Sequence, residues 1–298
     1  MFASETKSWI KRNARPLEHA RWQYLFEGRS SASVLECLTA FQNEDGGFGH
    51  GLEPDVWLPN SSAIATWSAG QILLEVEATR NEPVVQRMLT YLMNAYDESI
   101  GLWRTVIREF NDYAHAPWWT YSEEAQQFWM YNPSVELAAF LIYWGEQGGQ
   151  EARLGWRVIE KATDRILSCT EMDFHEINNF QNMLNVVGDD WERGKDVKAK
   201  LHELVHEVMN KEPDTWEQSY SPTPLQLITS PEDELYPTYE ELVEENLRFL
   251  KRQIQPSGVW DIPWEWEGDA LNFAVAKEHW KGIRAVNHIK TLRTFAAL

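Results

Sequence analysis

Two acidic residues, Glu53 and Asp55, follow the glycine-rich segment 46–51 and precede a predicted helix start at 60–62. Two carboxyl groups this close repel each other as anions, which raises the pKa of one of them and keeps it protonated near neutral pH. Such a group is a proton donor for general acid catalysis. Carboxylates also stabilise helix N-termini, so the sequence leaves both a catalytic and a structural role open.

His115 supplies a candidate base within the aromatic segment 110–131. An unperturbed imidazole has a pKa of about 6.5 and therefore exchanges protons near neutral pH. The neighbouring Trp118 and Trp119 offer flat apolar faces that can stack on sugar rings or stabilise carbocations by cation–π attraction. A segment this irregular is typical of a functional loop or lid, although its aromatic residues would equally plug one end of a helical barrel.

Two further groups of residues are candidates for ligand binding. His175 and Glu176 are adjacent at a predicted helix start, where a histidine is more often part of the core. Near the C-terminus tryptophan alternates with acidic residues, which predicts a pocket wall because buried carboxylates need partners. The candidates in that segment are Trp260, Asp261 and Trp264.

One motif has the spacing of a metal site. His202, Glu203 and His206 match the His-Glu-x-x-His pattern of zinc hydrolases, in which the histidines bind zinc and the glutamate is the general base. The motif lies on a predicted outer helix, and no third ligand is indicated, although Glu232, Glu234 and Glu240 would be available. We interpret the match as a coincidence and predict no bound metal and no cofactor.

The elements that position these residues are predicted to be helices. Residues 60–62 form an N-cap before an apolar stripe, which predicts a helix over 61–77. Asn132 and Pro133 open a second helix over 133–144, whose run from Val135 to Trp144 predicts burial on every side. Thr238 and Glu241 have the spacing of a capping box before a third helix.

Internal repetition organises the chain. Segments with glycine or an acid followed by an aromatic recur just after predicted helices, at intervals of about 50 residues, which suits one helical hairpin per repeat. The copies are 41–51, 97–103 and 252–264, with weaker copies at 171–176 and 212–218. The predicted fold is all-α: a single α/α toroid of about six helical hairpins that spans residues 1–298.

Composition narrows the classes of function. Asp and Glu number 46 against 27 Lys and Arg, a formal net charge of −19 that argues against nucleic-acid partners and highly anionic substrates. The longest apolar run is too short for a membrane span, and the N-terminus lacks a signal core. Cys37 and Cys169 are isolated, which predicts a reduced, cytoplasmic location. Tryptophan is unusually abundant, with 16 residues.

Residues 42–49 (Gln-Asn-Glu-Asp-Gly-Gly-Phe-Gly) resemble the repeat of terpenoid cyclases and protein prenyltransferase β subunits. Residues 255–260 resemble a degenerate second copy that departs from the pattern at Ser257 and Val259. The whole chain is similar to bacterial proteins described as prenyltransferase-like or squalene-cyclase-like, whose recurring segments correspond to 47–55, 115–119 with 132–133, 175–176 and 280–282. The resemblance implies an α/α toroid in which Gln42, Asp45, Phe48 and Trp260 are structural.

The catalytic signatures of these families are missing. Prenyltransferases bind zinc through an Asp-x-Cys pair, but leucine lies two residues before both cysteines of this chain. Class II cyclases use Asp-x-Asp-Asp, which is absent, and class I synthases use Asp-Asp-x-x-Asp, which the segment 189–193 fails at Arg193. Two cysteines and a histidine for a lanthionine-cyclase zinc site are absent as well. The resemblance therefore implies the scaffold and not the reaction.

Our functional hypothesis is a terpenoid-cyclase-like enzyme that uses carboxylic-acid and histidine chemistry on a neutral, largely apolar, isoprenoid-type substrate in an aromatic-lined central cavity. The alternatives are a carbohydrate-active toroid, a non-catalytic binding toroid and, least favoured, a zinc hydrolase. The predicted partner is a small molecule or a glycan; the oligomeric state stays open. We expect one end of the toroid to gather Glu53, Asp55, His115, Trp118, Trp119 and Trp264.

Overall fold

The structure, a computed structural model, describes residues 2–298 and confirms the all-α prediction. Within this range the backbone forms twelve α-helices and four short 3₁₀ helices, and β-structure is limited to isolated bridges. The helices are α1 (Phe2–Asn13), α2 (Pro16–Glu27), α3 (Ala32–Thr39), α4 (Ala63–Glu75), α5 (Pro83–Ala95), α6 (Ala125–Trp129), α7 (Ser134–Trp144), α8 (Gln150–Ser168), α9 (Phe174–Val187), α10 (Gly194–Val208), α11 (Tyr236–Arg252) and α12 (Ala270–Thr294).

The described chain divides into two compact units. The terminal unit consists of residues 2–30, 205–265 and 274–298, and the central unit consists of residues 31–204 and 266–273. The chain passes from one unit to the other inside α10 and inside α12. A single domain over 1–298 and a toroid of about six hairpins stay predictions.

Helix α7 is the core of the central unit and packs against α4, α5, α8 and α9. The apolar run of this helix is buried almost throughout, as predicted, with Tyr143 as the exposed exception. Gly70 permits the close approach of α4, because a Cβ at this position would lie 2.1 Å from the ring of Phe140. Burial of the apolar side chains of α7 therefore fixes the helices around it.

The predicted helix starts agree with the structure in one case and differ in two. Ser62 caps α4, since its side chain accepts a hydrogen bond from the backbone N–H of Ala65 at 3.2 Å. Helix α7 begins at Ser134, one residue later than predicted, with Pro133 in the cap position. The capping-box prediction for Thr238 is wrong, because α11 already begins at Tyr236, where the following proline favours the first helical turn.

The repeat segment at 41–51 has a structural role, as the resemblance implied. Gln42 Nε2 donates to the backbone carbonyls of Gly46 and Val84, both at 2.9 Å. Asp45 Oδ1 accepts from the N–H of Gly47 at 3.0 Å and from the hydroxyl of Ser61 at 2.6 Å. These bonds tie the turn to the start of α4 and to α5, and they leave no further task that the acid would need to perform.

Two later copies of the repeat share one contact. Trp103 in the central unit donates its indole N–H to the carbonyl of Leu92 at 2.8 Å, near the end of α5. Trp260 in the terminal unit donates in the same way to Leu250 at 2.7 Å, near the end of α11. Both tryptophans are fully buried. The aromatic residue of the repeat therefore satisfies a carbonyl in the last turns of the preceding helix, where partners are otherwise lacking.

The terminal unit contains α1, α2, α11 and most of α12. Two glycines allow close approach in this unit. A Cβ at Gly258 would lie 2.8 Å from the backbone of Glu5 and Thr6, and a Cβ at Gly282 would lie 3.2 Å from Ala14. Gly282 thus brings α12 against the junction of α1 and α2. In the described part of the chain, no helix has both the length and the apolar character that crossing a bilayer requires.

Candidate functional site

The predicted acid and base lie on adjacent segments of the central unit. An isolated antiparallel bridge joins Val56 to His115. On either side of it, the N–H of Trp57 donates to the carbonyl of Ala114 at 2.9 Å and the N–H of Ala116 donates to the carbonyl of Asp55 at 2.8 Å. The loop that carries Glu53 and Asp55 is therefore held beside the aromatic segment by backbone hydrogen bonds.

Asp55 is buried and has a tryptophan partner that the sequence analysis did not select. Its Oδ1 accepts a hydrogen bond from the indole N–H of Trp266 at 3.0 Å, and both side chains are buried. The Trp266 ring also makes an edge contact with Trp57, with ring centroids 6.2 Å apart. Glu53 is buried as well, 7% exposed. The alternation of acids and tryptophans in 260–267 was the sequence feature that could have identified Trp266 as a site residue.

His115 is half-buried, and both of its ring nitrogens have partners. Nδ1 lies 2.7 Å from the backbone oxygen of Tyr113, and a carbonyl only accepts, so this nitrogen carries hydrogen. In the neutral ring Nε2 then holds the lone pair, which accepts from the Thr120 hydroxyl at 3.2 Å. His115 therefore has the tautomer of a base that acts through Nε2.

The aromatic segment contains a buried part and an exposed part. Trp119 is 6% exposed and stacks on Trp129, with ring centroids 4.7 Å apart. Trp118 is 38% exposed, and Phe128 is 75% exposed. The stacked Trp119 and Trp129 suit the structural plug, and the exposed Trp118 and Phe128 suit a ligand-facing loop. Both alternatives from the sequence analysis therefore remain open.

His175 and Glu176 separate into different environments at the start of α9. Glu176 is buried, and its carboxylate lies 3.4 Å from Arg165 Nη2 and 3.3 Å from the backbone N–H of Tyr131. Burial raises the pKa of Glu176, and the nearby Arg165 opposes that effect. The His175 side chain is exposed, while its backbone N–H is bonded to the Asp173 cap at 2.8 Å. Glu176 thus connects α9 to α8.

The C-terminal candidates lie in the terminal unit. Trp260 is fully buried, which leaves its ring no exposed face. The exposed Asp261 forms an ion pair with Lys277 at 2.9 Å. Trp264 packs edge-on against Trp280, with ring centroids 5.3 Å apart. Because Trp264 belongs to a different unit from Glu53, Asp55 and His115, its convergence with them stays a prediction.

The residues of the metal-like motif contact other groups. His206 Nδ1 lies 2.5 Å from the hydroxyl of Tyr239, and Glu203 forms an ion pair with Lys200 at 3.0 Å. Among residues 2–298 no three His, Cys, Asp or Glu side chains are grouped in a way that could hold a metal ion.

A second acid site, which the sequence analysis missed, lies on α7. Glu136 is 1% exposed and accepts hydrogen bonds from side chains of two other helices. Its Oε2 accepts from the indole N–H of Trp67 at 2.7 Å and from Asn182 Nδ2 at 3.2 Å, and its Oε1 accepts from Gln71 Nε2 at 3.1 Å. All three donors are half-exposed. Glu136 is therefore enclosed by a polar rim contributed by α4 and α9.

The environment of Glu136 favours its protonated form. Burial raises the pKa of this carboxyl to about 7, although the three hydrogen bonds act in the opposite direction. The donors are neutral, so no cation offsets the cost of placing a carboxylate here. Trp67 and Asn182 donate to Oε2, whereas Gln71 is the one of the three donors that also contacts Oε1. An amide side chain can accept as well as donate, so Gln71 can serve either charge state of Glu136.

Comparisons with protein-family models, with curated proteins and with solved structures found no match. The similarity to terpenoid cyclases and prenyltransferases rests on the sequence motifs, and membership of that superfamily stays a prediction.

Proposed function

We propose that the protein is a terpenoid-cyclase-like acid–base enzyme and that Glu136 is its proton donor. The observation that carries this proposal is a fully buried carboxyl group on α7 whose oxygens accept hydrogen bonds from neutral side chains of α4 and α9, a setting that raises its pKa to about 7. A general acid is most effective when its pKa lies near the working pH, because it is then protonated yet still releases its proton.

The chemistry that suits this acid is protonation of a neutral carbon–carbon double bond. Glu136 Oε1 gives its proton to one carbon, the π electron pair forms the new C–H bond, and the substrate becomes a carbocation beside a carboxylate. Trp67 lies next to the carboxyl, and its ring face would stabilise a nearby cation by about 2 kcal/mol when desolvated. Loss of a proton from the rearranged cation restores the acid and balances the reaction.

Access to the proton requires movement of one side chain. Gln71 is half-exposed and contacts both carboxyl oxygens of Glu136, Oε1 at 3.1 Å and Oε2 at 3.4 Å. Rotation of this side chain uncovers Oε1, while Trp67 and Asn182 keep Oε2 in place. The carboxylate of Glu136 itself accepts the returning proton, which closes the cycle.

The test is turnover of neutral isoprenoids by the full chain. We expect purified protein to convert squalene, farnesol or geranylgeraniol to isomeric products detected by gas chromatography with mass spectrometry. Glu136→Gln should reduce the rate at least about 100-fold, the contribution of a general acid. Glu160→Gln, the same change at an exposed position on α8, is the matched control and should keep the rate.

Two outcomes would change the assignment. Loss of turnover in Asp55→Asn, with normal turnover in Glu136→Gln, would return the proton-donor role to Asp55. Absence of product from all three isoprenoids would contradict this substrate class.

A carbohydrate-active enzyme is the second candidate, favoured by the exposed ring of Trp118 beside His115. Exposed tryptophan faces stack on sugar rings, and an acid near a histidine suits lyase or hydrolase chemistry. Binding of a soluble glycan that weakens in Trp118→Ala, with no effect of Glu136→Gln, would favour this function over the first.

A further inference from the structure

A groove with a volume of about 640 Å³ lies on the central unit, between the end of α5, the turn at 96–98 and the first three turns of α8. The apolar and aromatic residues that line it are Met93, Tyr96, Leu154 and Trp156. Small organic ligands occupy cavities of about 300–1,000 Å³. The groove is therefore large enough for a ligand that has an apolar body, and not only for an ion.

The two aromatic residues of the groove are held in place by rings outside it. Tyr96 makes an edge contact with the buried Trp103, with ring centroids 5.3 Å apart. Trp156 makes an edge contact with Trp191, with ring centroids 5.8 Å apart. Tyr96 and Trp156 are both half-buried, so each leaves surface open to a ligand. Because these rings are already ordered, packing a ligand against them costs little conformational entropy.

Two arginines of α8 line the same groove. Arg153 and Arg157 are about one helical turn apart, and both are exposed. Arg157 forms an ion pair with Glu98 at 3.2 Å, in which the two side chains are 50% and 73% exposed. Arg153 donates to the backbone carbonyl of Gly148 and forms no ion pair with the described residues. The groove thus has one guanidinium without an acidic partner and a second in an exposed pair, which contributes little to stability and can be exchanged for a ligand.

The acids of the groove leave room for an anion beside Arg153. Glu98 is the partner of Arg157. Glu160 also lines the groove, but it follows Arg153 by seven residues, which is about 10 Å along α8, and it takes no part in the contacts proposed below. The whole chain carries a formal net charge of −19, which repels a singly charged carboxylate less than a doubly charged phosphate. The charges therefore favour a carboxylate as the anionic group.

We propose that this groove binds a small carboxylate with an aromatic body. The carboxylate accepts hydrogen bonds from Arg153 and Arg157, and the aromatic ring packs against Tyr96 and Trp156. A guanidinium presents a planar fork of N–H donors that matches a carboxylate. Aromatic rings pack favourably against one another in edge-on or offset arrangements. The proposal does not rest on the function proposed for Glu136, because the two sites have no residue in common.

The test is calorimetric titration of the full chain with three probes. They are naphthoate, the neutral naphthylmethanol, which lacks the carboxylate, and acetate, which lacks the rings. We expect saturable binding of naphthoate at a single site. Naphthylmethanol and acetate should each bind at least about tenfold more weakly, because each can make only one of the two kinds of contact.

Four variants test the residues of the groove. Arg153→Gln and Trp156→Ala should each weaken naphthoate binding at least about tenfold. Arg80→Gln, the same change at an exposed arginine between α4 and α5 in the same unit, is the matched control and should keep the affinity. Glu98→Gln should instead tighten binding about two- to fivefold, because it releases Arg157 from its ion pair. Poor folding of a variant cannot produce this gain.

Three outcomes would overturn the proposal. The first is the absence of saturable naphthoate binding by the parent protein. The second is equal binding of naphthoate and naphthylmethanol, which would show that the groove does not recognise the charge. The third is an unchanged affinity for naphthoate in Arg153→Gln or in Glu98→Gln, which would show that the two arginines do not hold the carboxylate.

Discussion

Glu136 in the central unit and Arg284 in the terminal unit are both ionisable groups in enclosed surroundings, yet only Glu136 has partners for its polar atoms. Three neutral donors contact the carboxyl oxygens of Glu136, whereas Arg284 has an aromatic ring beside it and its enclosed Nε has no hydrogen-bond partner among the described residues. The difference follows from what each group can do with its proton.

A carboxyl group avoids the cost of a buried charge by taking up a proton, and Glu136 does so up to a pH of about 7. An arginine stays charged at neutral pH even when burial lowers its pKa to about 10. The central unit therefore holds a buried acid with three hydrogen-bond donors, and the terminal unit holds a cation whose Nε has no hydrogen-bond partner among the described residues. Removing the ionisable group should therefore change the free energy of unfolding in opposite directions at Glu136 and at Arg284.

The largest expected effect is that of removing the acid. Glu136→Leu leaves the donors of Trp67, Gln71 and Asn182 without an acceptor, which should lower the free energy of unfolding by about 4 kcal/mol, at about 1–3 kcal/mol for each unsatisfied donor. Urea denaturation at pH 7 measures the change. Glu136→Gln keeps an acceptor oxygen at the same place and should cost far less. Equal losses in both variants would mean that size, and not hydrogen bonding, matters at this position.

The second expected effect is on the pH dependence of the free energy of unfolding. The pKa of Glu136 is raised from 4.5 in the unfolded chain to about 7 in the folded protein, so the folded state binds more protons between these values. The contribution of Glu136 to the free energy of unfolding is therefore fully present below pH 4.5, and it falls by about 3 kcal/mol as the pH rises to 7. Glu136→Gln should remove this part of the slope in urea denaturation curves recorded at several pH values. An unchanged slope in Glu136→Gln would contradict the raised pKa.

A third variant tests how the hydrogen-bond donors around Glu136 affect its pKa. The hydrogen bond from Trp67 lowers the pKa of Glu136, so Trp67→Phe should raise that pKa above 7. A hydrogen bond to a charged group is worth about 1.5–3 kcal/mol, which corresponds to about one to two pKa units. Carbon-13 NMR of labelled glutamate carboxyls would report the shift. A lower pKa in this variant would show that the indole does not stabilise the carboxylate.

The smallest expected effect has the opposite sign. Arg284→Met removes an unpaired, enclosed charge and keeps most of the side-chain volume, so it should raise the free energy of unfolding by about 1 kcal/mol in a buffer without phosphate or sulfate. Urea denaturation measures this change as well. A clear loss of stability would indicate that Arg284 already has a structural partner and would remove the contrast with Glu136.

The sequence predicted much of the local structure because the signals were local. The all-α class, the Ser62 cap and the structural role of the segment 41–51 all depend on residues close together in the chain. The proximity of Asp55 and His115 was also expected, and the structure joins their segments by backbone hydrogen bonds. The toroid stays a prediction, because it depends on how distant hairpins associate, which no short pattern encodes.

The two ionisable sites could not be predicted because their properties come from distant contacts. Glu136 lies inside the run that was interpreted as apolar on all sides, and its donors come from α4 and α9, 46 to 69 residues away. The presence of a single glutamate in an apolar run was the one sequence feature that could have indicated a buried acid. Arg284 Nε has no hydrogen-bond partner among the described residues, and Asp261 is ion-paired with Lys277, a choice of partners that depends on three-dimensional packing.

The most direct test of the account is the protonation state of Glu136 at neutral pH. Difference infrared spectra of the parent protein minus Glu136→Gln, recorded from pH 4 to pH 9, isolate the carbonyl band of this one carboxylic acid. We predict a protonated band that disappears with a midpoint near pH 7. A midpoint at or below the ordinary pKa of 4.5 would show that Glu136 is a carboxylate at neutral pH, and it would contradict both its role as proton donor and its contrast with Arg284.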